Sequence, residues 1–460
     1  MTGYPLPFGF ADVAAFLDRS VDLEQPATAS RLPEALAGLE KLALPPGTPV
    51  VVAMSNGRPL LEYYFGALLL GLVPVLVSPA APSARIDALA RRIGAGAVVA
   101  ARLVPHRYGV PAVLPLGDAQ AVVLPRADPP HYLSGCALML TSGTSGLFSG
   151  CLHRVDSLVR NARRHAAAVG LHGGDTVLVN LPLYYSYAIV AQALAALVTG
   201  ARLVISGPPF APTAYQAVIR RHGVTMSSVT PTIARLLLAH RDPLPNGLRV
   251  LTVGGDSLAG HQVGTLLSAN PGLELYVTYG LTEAGPRVAT LAAHEEPTGR
   301  YGSVGLPLAG VATALRPVPG QPGATELLVT SDTVLLAKVG AGSPERTLVA
   351  PGTIATGDLF HVDEDGYLFF GGRLSDFVVL RGEKVSLAAV RRFVQSIPGV
   401  IRCSTVVGDD GGHFDLDVRV AADLDEAQRR IRDAVRSFLL PGERPRRIAV
   451  AHPDLAVFQK

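Results

Sequence analysis

Short β-branched runs alternate with segments of helical spacing through much of this chain. Residues 58–71 read as a helix before a strand at 73–77, and 83–94 ("SARIDALARRIG") as a helix before a strand at 95–100. Further on, 214–222 ("AYQAVIRRH") precedes "TMSSV", and 232–240 precedes "LRVLTVGG". A parallel strand pair cannot be joined by a tight turn and needs a crossover, usually a helix. The alternation therefore predicts an α/β fold of layered, largely parallel sheets. At 460 residues the chain is too long for one ordinary core, so more than one packed unit is expected.

The texture changes near residue 300. "GSVGLPLAGVATALRPVPGQPGATELLVTS" (302–331) places short strands between Gly/Pro turns and reads as a small β unit. Residues 388–396 then look helical, and "STVVGDDGGHFDLDVRV" (404–420) reads as a hairpin with alternating faces. Over 423–440, Leu424, Ala427, Ile431, Val435 and Phe438 form one helical stripe. The expected organisation is a large N-terminal domain, 1–375, and a small α+β C-terminal domain, 376–460.

Several function classes receive no support. Lys+Arg 40 against Asp+Glu 37 leaves a net charge of +3, so neither a nucleic-acid nor a membrane-surface partner is expected. The seven arginines between 426 and 447 read as a solvated face. Cys136, Cys151 and Cys403 include no CxxC pair, which argues against a disulfide framework or zinc site and fits a cytoplasmic protein. The opening "MTGYPLPFGFADVAAFLDRS" has no basic leader and no long apolar core, so no signal peptide is expected. Two apolar stretches, 63–81 and 187–205, are interrupted by Pro74 and Pro79 and by Gln192, Thr199 and Arg202. Each is read as a buried helix, a break and a strand rather than a membrane span.

Chemistry is signalled by "TSGTSGLFSG" (141–150), just after the apolar run "CALML". Thr141, Ser142, Thr144 and Ser145 offer hydroxyl donors, while Gly143 and Gly146 let backbone N–H groups close on phosphate oxygens. A polar turn after a strand explains an isolated stretch of this kind equally well. More specific is the ordered series of segments downstream: "LPLYYSYA" (181–188), "VGGDSL" (253–258), "YVTYGLTEAGP" (276–286), "GSVGLPLAGV" (302–311), "ATGDLFHVDEDGYLFFGGRLSDFVVLRGEKV" (355–385) and "PDLAVFQK" (453–460). This series resembles the adenylate-forming (AMP-binding) superfamily of acyl- and aryl-CoA ligases and adenylation domains, over nearly the whole chain.

The resemblance implies ATP and Mg²⁺ as cofactors and a small carboxylic acid as substrate. It further implies CoA, or the phosphopantetheine of a carrier protein, as acceptor. Tyr279 would stack on adenine and Gly280 would let the ligand approach. Thr282 would bond the α-phosphate, and Glu283 would hold Mg²⁺ through oxygen. Asp358 would accept the ribose hydroxyls, Arg373 would reach ribose and phosphate, and Asp376 would be the hinge between the two domains. Gly254, Gly255 and Asp256 are expected on the nucleotide side, and Tyr185, Gly280, Leu281 and Pro286 on the substrate side. Lys460 is the one candidate for the family's late catalytic lysine.

The chain departs from the family pattern at three points. The usual Pro-Lys-Gly of the loop reads Phe148-Ser149-Gly150, Tyr185 stands where a gating histidine is usual, and Lys460 comes after Gln459 instead of glycine. These departures leave two alternatives open. One is a non-thioester outcome, either amide formation or nitrite activation for diazotisation of an aryl amine. The other is a degenerate nucleotide-binding protein. His413, Asp415 and Asp417 are read as a solvent-facing strand edge, not metal ligands, and Cys151 as a buried thiol.

Overall fold

The computed structural model describes the chain apart from residues 1–2, 26–28, 126–131, 142–148, 208, 241, 320, 341–346, 375–376, 381–382, 409–412, 440 and 454–460. The fold is mixed α/β, as the helix–strand alternation predicts. One eight-stranded sheet runs in the order Val21–Asp22, Arg202–Ile205, Thr176–Val179, Met226–Val229, Val250–Gly254, Glu274–Gly280, Arg287–Ala292, Leu306–Pro307. Its first six strands are parallel, and the last two are added antiparallel.

A second eight-stranded sheet has the order Ala337–Gly340, Ser149–Arg154, Cys136–Thr141, Val73–Leu76, Pro49–Ala53, Ala97–Ala100, Ala119–Val123, Leu114–Leu116. Its four middle strands are parallel and its flanks antiparallel. The largest apolar core lies between these layers.

Both long apolar stretches fold as helix, break and strand. Arg58–Leu69 is buried along most of its length, and Gly71 at φ +74° turns the chain into the strand Val73–Leu76. The segments Ser186–Ala188, Ile189–Leu194 and Ala195–Thr199 run on as one helix, which Gly200 at φ +77° closes before Arg202–Ile205. Among the described residues, no helix is long and apolar enough to cross a membrane.

The β texture after residue 300 is a five-stranded antiparallel sheet built on Val311–Pro317, Thr325–Ser331, Leu348–Ala350, Thr353–Val362 and Leu368–Arg373. Its inner face shares a core with Cys151, Tyr279, Ala284 and Leu335, so this small unit supports the end of the first sheet.

The last part of the chain has its own core. The hairpin Val400–Val407/Phe414–Val420, with Ile448–Ala451 beside it, packs on the helices Leu387–Gln395 and Leu424–Phe438. Asp423 caps the second helix by accepting from the Glu426 N–H at 3.0 Å, and Ala427, Ile431 and Val435 are buried on one side. Phe438 departs from the expected stripe. It is 69% exposed and stacks on Phe393 with ring centroids 4.3 Å apart, because it sits in the last turn, beyond the reach of the core. Six of the seven arginines are exposed and Arg430 is half-buried; Asp415 and Asp417 face outward to Arg446 and Arg419.

A buried arginine joins this terminal unit to the first sheet's helices. Arg235 donates to the Ser257 carbonyl at 3.0 Å and Gln262 Oε1 at 3.3 Å on one side. On the other it reaches the Ile401 carbonyl at 3.2 Å and Gln395 Oε1 at 3.4 Å. Arg392 likewise donates to the carbonyls of Phe370 and Gly371, both at 2.9 Å.

Candidate active site

Open α/β sheets bind ligands at the carboxyl ends of their strands, and the first sheet ends in an unusual turn. Strand Glu274–Gly280 shifts register between Tyr279 and Gly280, and the Leu281 N–H then closes on the Pro286 carbonyl at 3.0 Å. Gly280 is obligatory at this crossing, since a Cβ there would lie 2.2 Å from the Pro286 oxygen. The single 3₁₀ turn Thr282–Ala284 caps the loop. Gly254, at the end of the neighbouring strand, is held by the same close packing: a Cβ would meet Thr278 Oγ1 at 2.3 Å. Gly255 turns away at φ +96°, and Asp256 is exposed, its Oδ1 accepting the Ser257 N–H at 2.8 Å.

The turn brings the sequence-identified residues into two connected groups. In the first, the Tyr279 hydroxyl donates to Asp358 Oδ2 at 2.7 Å, and Arg373 Nε lies 3.1 Å from Asp358 Oδ1. Asp358 and Arg373 are direct partners on adjacent strands, so the antiparallel register itself sets their pairing. Asp358 is 2% exposed, whereas the Arg373 side chain is 59% exposed. Burial, reinforced by the Asp358 carboxylate, pushes the Tyr279 phenol well above its ordinary pKa, so it stays a donor. The Phe360 ring stands edge-on to Tyr279 at 4.8 Å and fixes its plane.

The second group surrounds the 3₁₀ turn. Thr282 Oγ1 is 2.9 Å from Ser186 Oγ, and the Thr282 carbonyl bonds His153 Nε2 at 2.9 Å. Burial pushes the His153 imidazole down to about 4, so the ring is neutral and donates from Nε2. His153 thereby ties the strand Ser149–Arg154 to the turn.

Thr141 ends the strand Cys136–Thr141 and donates from Oγ1 to the Ser149 carbonyl at 3.1 Å. Ser142, Gly143, Thr144, Ser145 and Gly146 lie outside the described residues, as do Asp376 and Lys460. Tyr185 is half-buried against Tyr184, with centroids 4.7 Å apart; burial and that neighbour push its phenol up to about 12. Leu281 is half-buried and Pro286 buried beside it.

Sequence reasoning missed Lys338. On the edge strand Ala337–Gly340 it pairs opposite Cys151, and its ammonium contacts the Glu283 carboxylate and lies 3.5 Å from Ser149 Oγ. Burial opposes its charge, but Cys151 and Glu283 outweigh that and raise its pKa. The one signal in the sequence is a lone lysine inside the strand-like "LLAKVG" (335–340). Cys151 itself is a buried thiol, as expected, with its pKa raised by burial.

The donor set fits a hard cation carried in on phosphates. Mg²⁺ is usually held by one or two carboxylates with water and phosphate oxygens, and Glu283 offers one partly exposed carboxylate. Among the described residues no group of three or more His, Cys, Asp or Glu side chains could form an all-protein cage.

The family model described as AMP-binding enzyme matches residues 34–335, and the chain belongs to that family of adenylate-forming enzymes. A sulfoacetate–CoA ligase of Cupriavidus necator is 31% identical over 312 residues, covering 66% of this chain and 59% of that protein. The chain spans about three fifths of the length of the first curated relatives it matches. An anthranilate CoA ligase in complex with anthranoyl-AMP superposes with a TM-score of 0.78, at 18% identity, covering 98% of this chain and 94% of that one. The amide bond synthetase McbA from Marinactinospora thermotolerans superposes with a TM-score of 0.74, at 22% identity, covering 96% and 95%. The two solved structures share the fold.

Proposed function

We propose that this chain activates a small aromatic or apolar carboxylic acid as an acyl-adenylate, using ATP, and passes the acyl group to the thiol of CoA or of a carrier protein. The observation that carries this reading is the buried Asp358, held by Arg373 and by Tyr279, the last residue but one of the strand before the Thr282–Glu283 turn. A buried carboxylate, each oxygen of which can accept more than one hydrogen bond, is a natural acceptor for a vicinal pair of ribose hydroxyls. The flat Tyr279 ring beside the side-chain-free Gly280 suits an adenine.

The chemistry runs in two steps. An oxygen of the acid attacks the α-phosphorus of ATP in line, the P–O bond to the β-phosphate breaks, and pyrophosphate leaves. The thiol then attacks the acyl carbon, the C–O bond to AMP breaks, and the thiol proton goes to solvent or base. Carboxylate oxygen is a poor leaving group and AMP a good one, which is why the first step makes the second easy. Thr282 Oγ1 donates to the α-phosphate, Asp358 orients the ribose, and Arg373 bridges ribose and phosphate. Mg²⁺, held by Glu283, would supply charge neutralisation on the phosphates. Lys460 is the proposed cation of the first step. The Tyr184–Tyr185 pair, its rings tilted at 57°, offers an aromatic wall to the acid. Such catalysis rests on positioning and electrostatics.

The acceptor is the least constrained part. An aromatic wall at Tyr185 in place of a histidine also suits an amine acceptor, which makes amide formation the second reading. Pyrophosphate release measured with panels of aryl and short apolar acids, each with CoA, amines or nitrite, tests the proposal. Release that needs a carboxylic acid supports adenylation, and the co-substrate that accelerates turnover names the acceptor. Release with nitrite alone, or none with any acid, overturns it.

A further inference from the structure

We propose that Lys338 is a phosphate-binding residue of this site: its ammonium rests on Glu283 in the free protein and transfers to the phosphates of ATP as the nucleotide enters. This role depends on the reading of the site as an ATP site.

Three observations carry it. Lys338 lies on an edge strand, where a lysine stem usually takes its charge out to water. Here the side chain is only 13% exposed and turns inward to Glu283. Its second neighbour is Ser149 Oγ at 3.5 Å, the residue that closes the Gly/Ser/Thr-rich segment. That segment itself holds no basic residue from Thr141 to Gly150. The sequence of this segment is rich in hydroxyls that suit phosphate yet carries no cation of its own, and Lys338 reaches Ser149 near its end from a distant strand. The register fixes where the stem starts: Lys338 pairs with Cys151 and Gly340 with Ser149, so its Cα is set beside the strand Ser149–Arg154 while the long stem lets the ammonium swing.

The pair with Glu283 gives the exchange its logic. A largely buried ammonium is costly without an anion, and so is a largely buried carboxylate without a cation. In the free protein each satisfies the other. With a metal–nucleotide bound, Glu283 would hold the metal and the ammonium would take a phosphoryl oxygen instead. Neither charge is left bare, and the net change is one ion pair traded for two interactions.

Calorimetric binding of adenosine, AMP, ATP and pyrophosphate tests this, with Mg²⁺ and with EDTA. Lys338→Met is expected to weaken ATP and pyrophosphate about 10- to 100-fold, the weight of one charge-assisted hydrogen bond, while adenosine changes less than about twofold. Lys338→Arg should restore part of the loss. In EDTA, Glu283→Gln frees the ammonium and should tighten pyrophosphate. The double variant Glu283→Gln/Lys338→Met carries no unpaired charge, so it guards against a merely unfolded single variant, and it should bind pyrophosphate as weakly as Lys338→Met. Unchanged ATP and pyrophosphate affinity in Lys338→Met, an equal loss for adenosine, or recovery in the double variant would show a counter-ion for Glu283 alone and overturn the proposal. Wild-type protein that binds none of the four would overturn the ATP-site reading as well.

Discussion

Replacing Asp358 by asparagine changes one buried oxygen to an amide and separates two roles of the carboxylate. In the free protein the remaining oxygen still accepts from Tyr279, which preserves the buried 2.7 Å bond. The pairing with Arg373 is lost, but that side chain is 59% exposed, so the stability cost is at most ~1 kcal/mol. With nucleotide bound the balance differs. Two ribose hydroxyls that donate to a carboxylate contribute roughly 1.5–3 kcal/mol each. The amide keeps one neutral acceptor and presents a donor where the other stood. A net loss of about 3–4 kcal/mol corresponds to roughly 10²- to 10³-fold in adenylate formation. ATP–pyrophosphate exchange measures the activity, and a thermal melt measures the stability. 2′-Deoxy-ATP supplies an internal control: wild-type protein should discriminate against it strongly and Asp358→Asn hardly at all. Near-normal exchange by Asp358→Asn, or undiminished discrimination, would refute ribose binding at this residue.

The same geometry and the family resemblance lead to three further expected outcomes. Asp376→Pro is expected to spare one half-reaction and impair the other, because a hinge concentrates a large φ/ψ change in one or two residues; equal loss of both steps, or of neither, counts against a hinge there. Lys460→Ala should slow pyrophosphate exchange far more than acyl transfer from a pre-made adenylate; equal slowing of both steps, or of neither, counts against Lys460 as the cation of the first step. His165 has both ring nitrogens buried without a partner among the described residues, and burial, with Arg287 nearby, holds its imidazole down at about 3. The unfolded chain takes up that proton near pH 6.5 and the folded one does not, so stability is full above pH 6.5 and falls as pH drops from there toward 3. At pH 5 the loss is ~2 kcal/mol, and in denaturant titrations His165→Leu should flatten that part of the pH profile; an unchanged slope would mean that His165 protonates in the fold.

The alternation of helical and strand periods was enough to announce layered parallel sheets, since crossover connections leave that imprint on any sequence. The terminal helix was legible for the same reason: Ala427, Ile431 and Val435 repeat at four-residue spacing and are buried together. Phe438 misled because periodicity reports which face a residue is on and says nothing of where the core stops. At the site, Tyr279, Thr282 and Glu283 lie close in sequence and could be read as one motif. Their partnership with Asp358 depends on a strand that returns some eighty residues later, and only the ordered motif series linked them. Lys338 was illegible for a different reason. Its neighbours Cys151 and Ser149 are set by an edge-strand register, and an isolated lysine in an apolar run carries no mark of which strand it will pair with.

Arg235 has a consequence for exchanging parts between relatives. The guanidinium holds the terminal unit through the Ile401 carbonyl and Gln395 Oε1, so one of those two contacts is indifferent to the side chain that carries it. A chimaera whose terminal unit comes from another family member can therefore tolerate a different apolar residue at 401. What it cannot tolerate is displacement of the strand Val400–Val407 along its own axis, which would strand a 4%-exposed cation with half its partners. Cutting the chain after residue 375 does the same thing and removes Ile401 from the main core, so the large unit released in this way should be prone to self-association. The compatibility of swapped units is set by backbone position more than by sequence likeness.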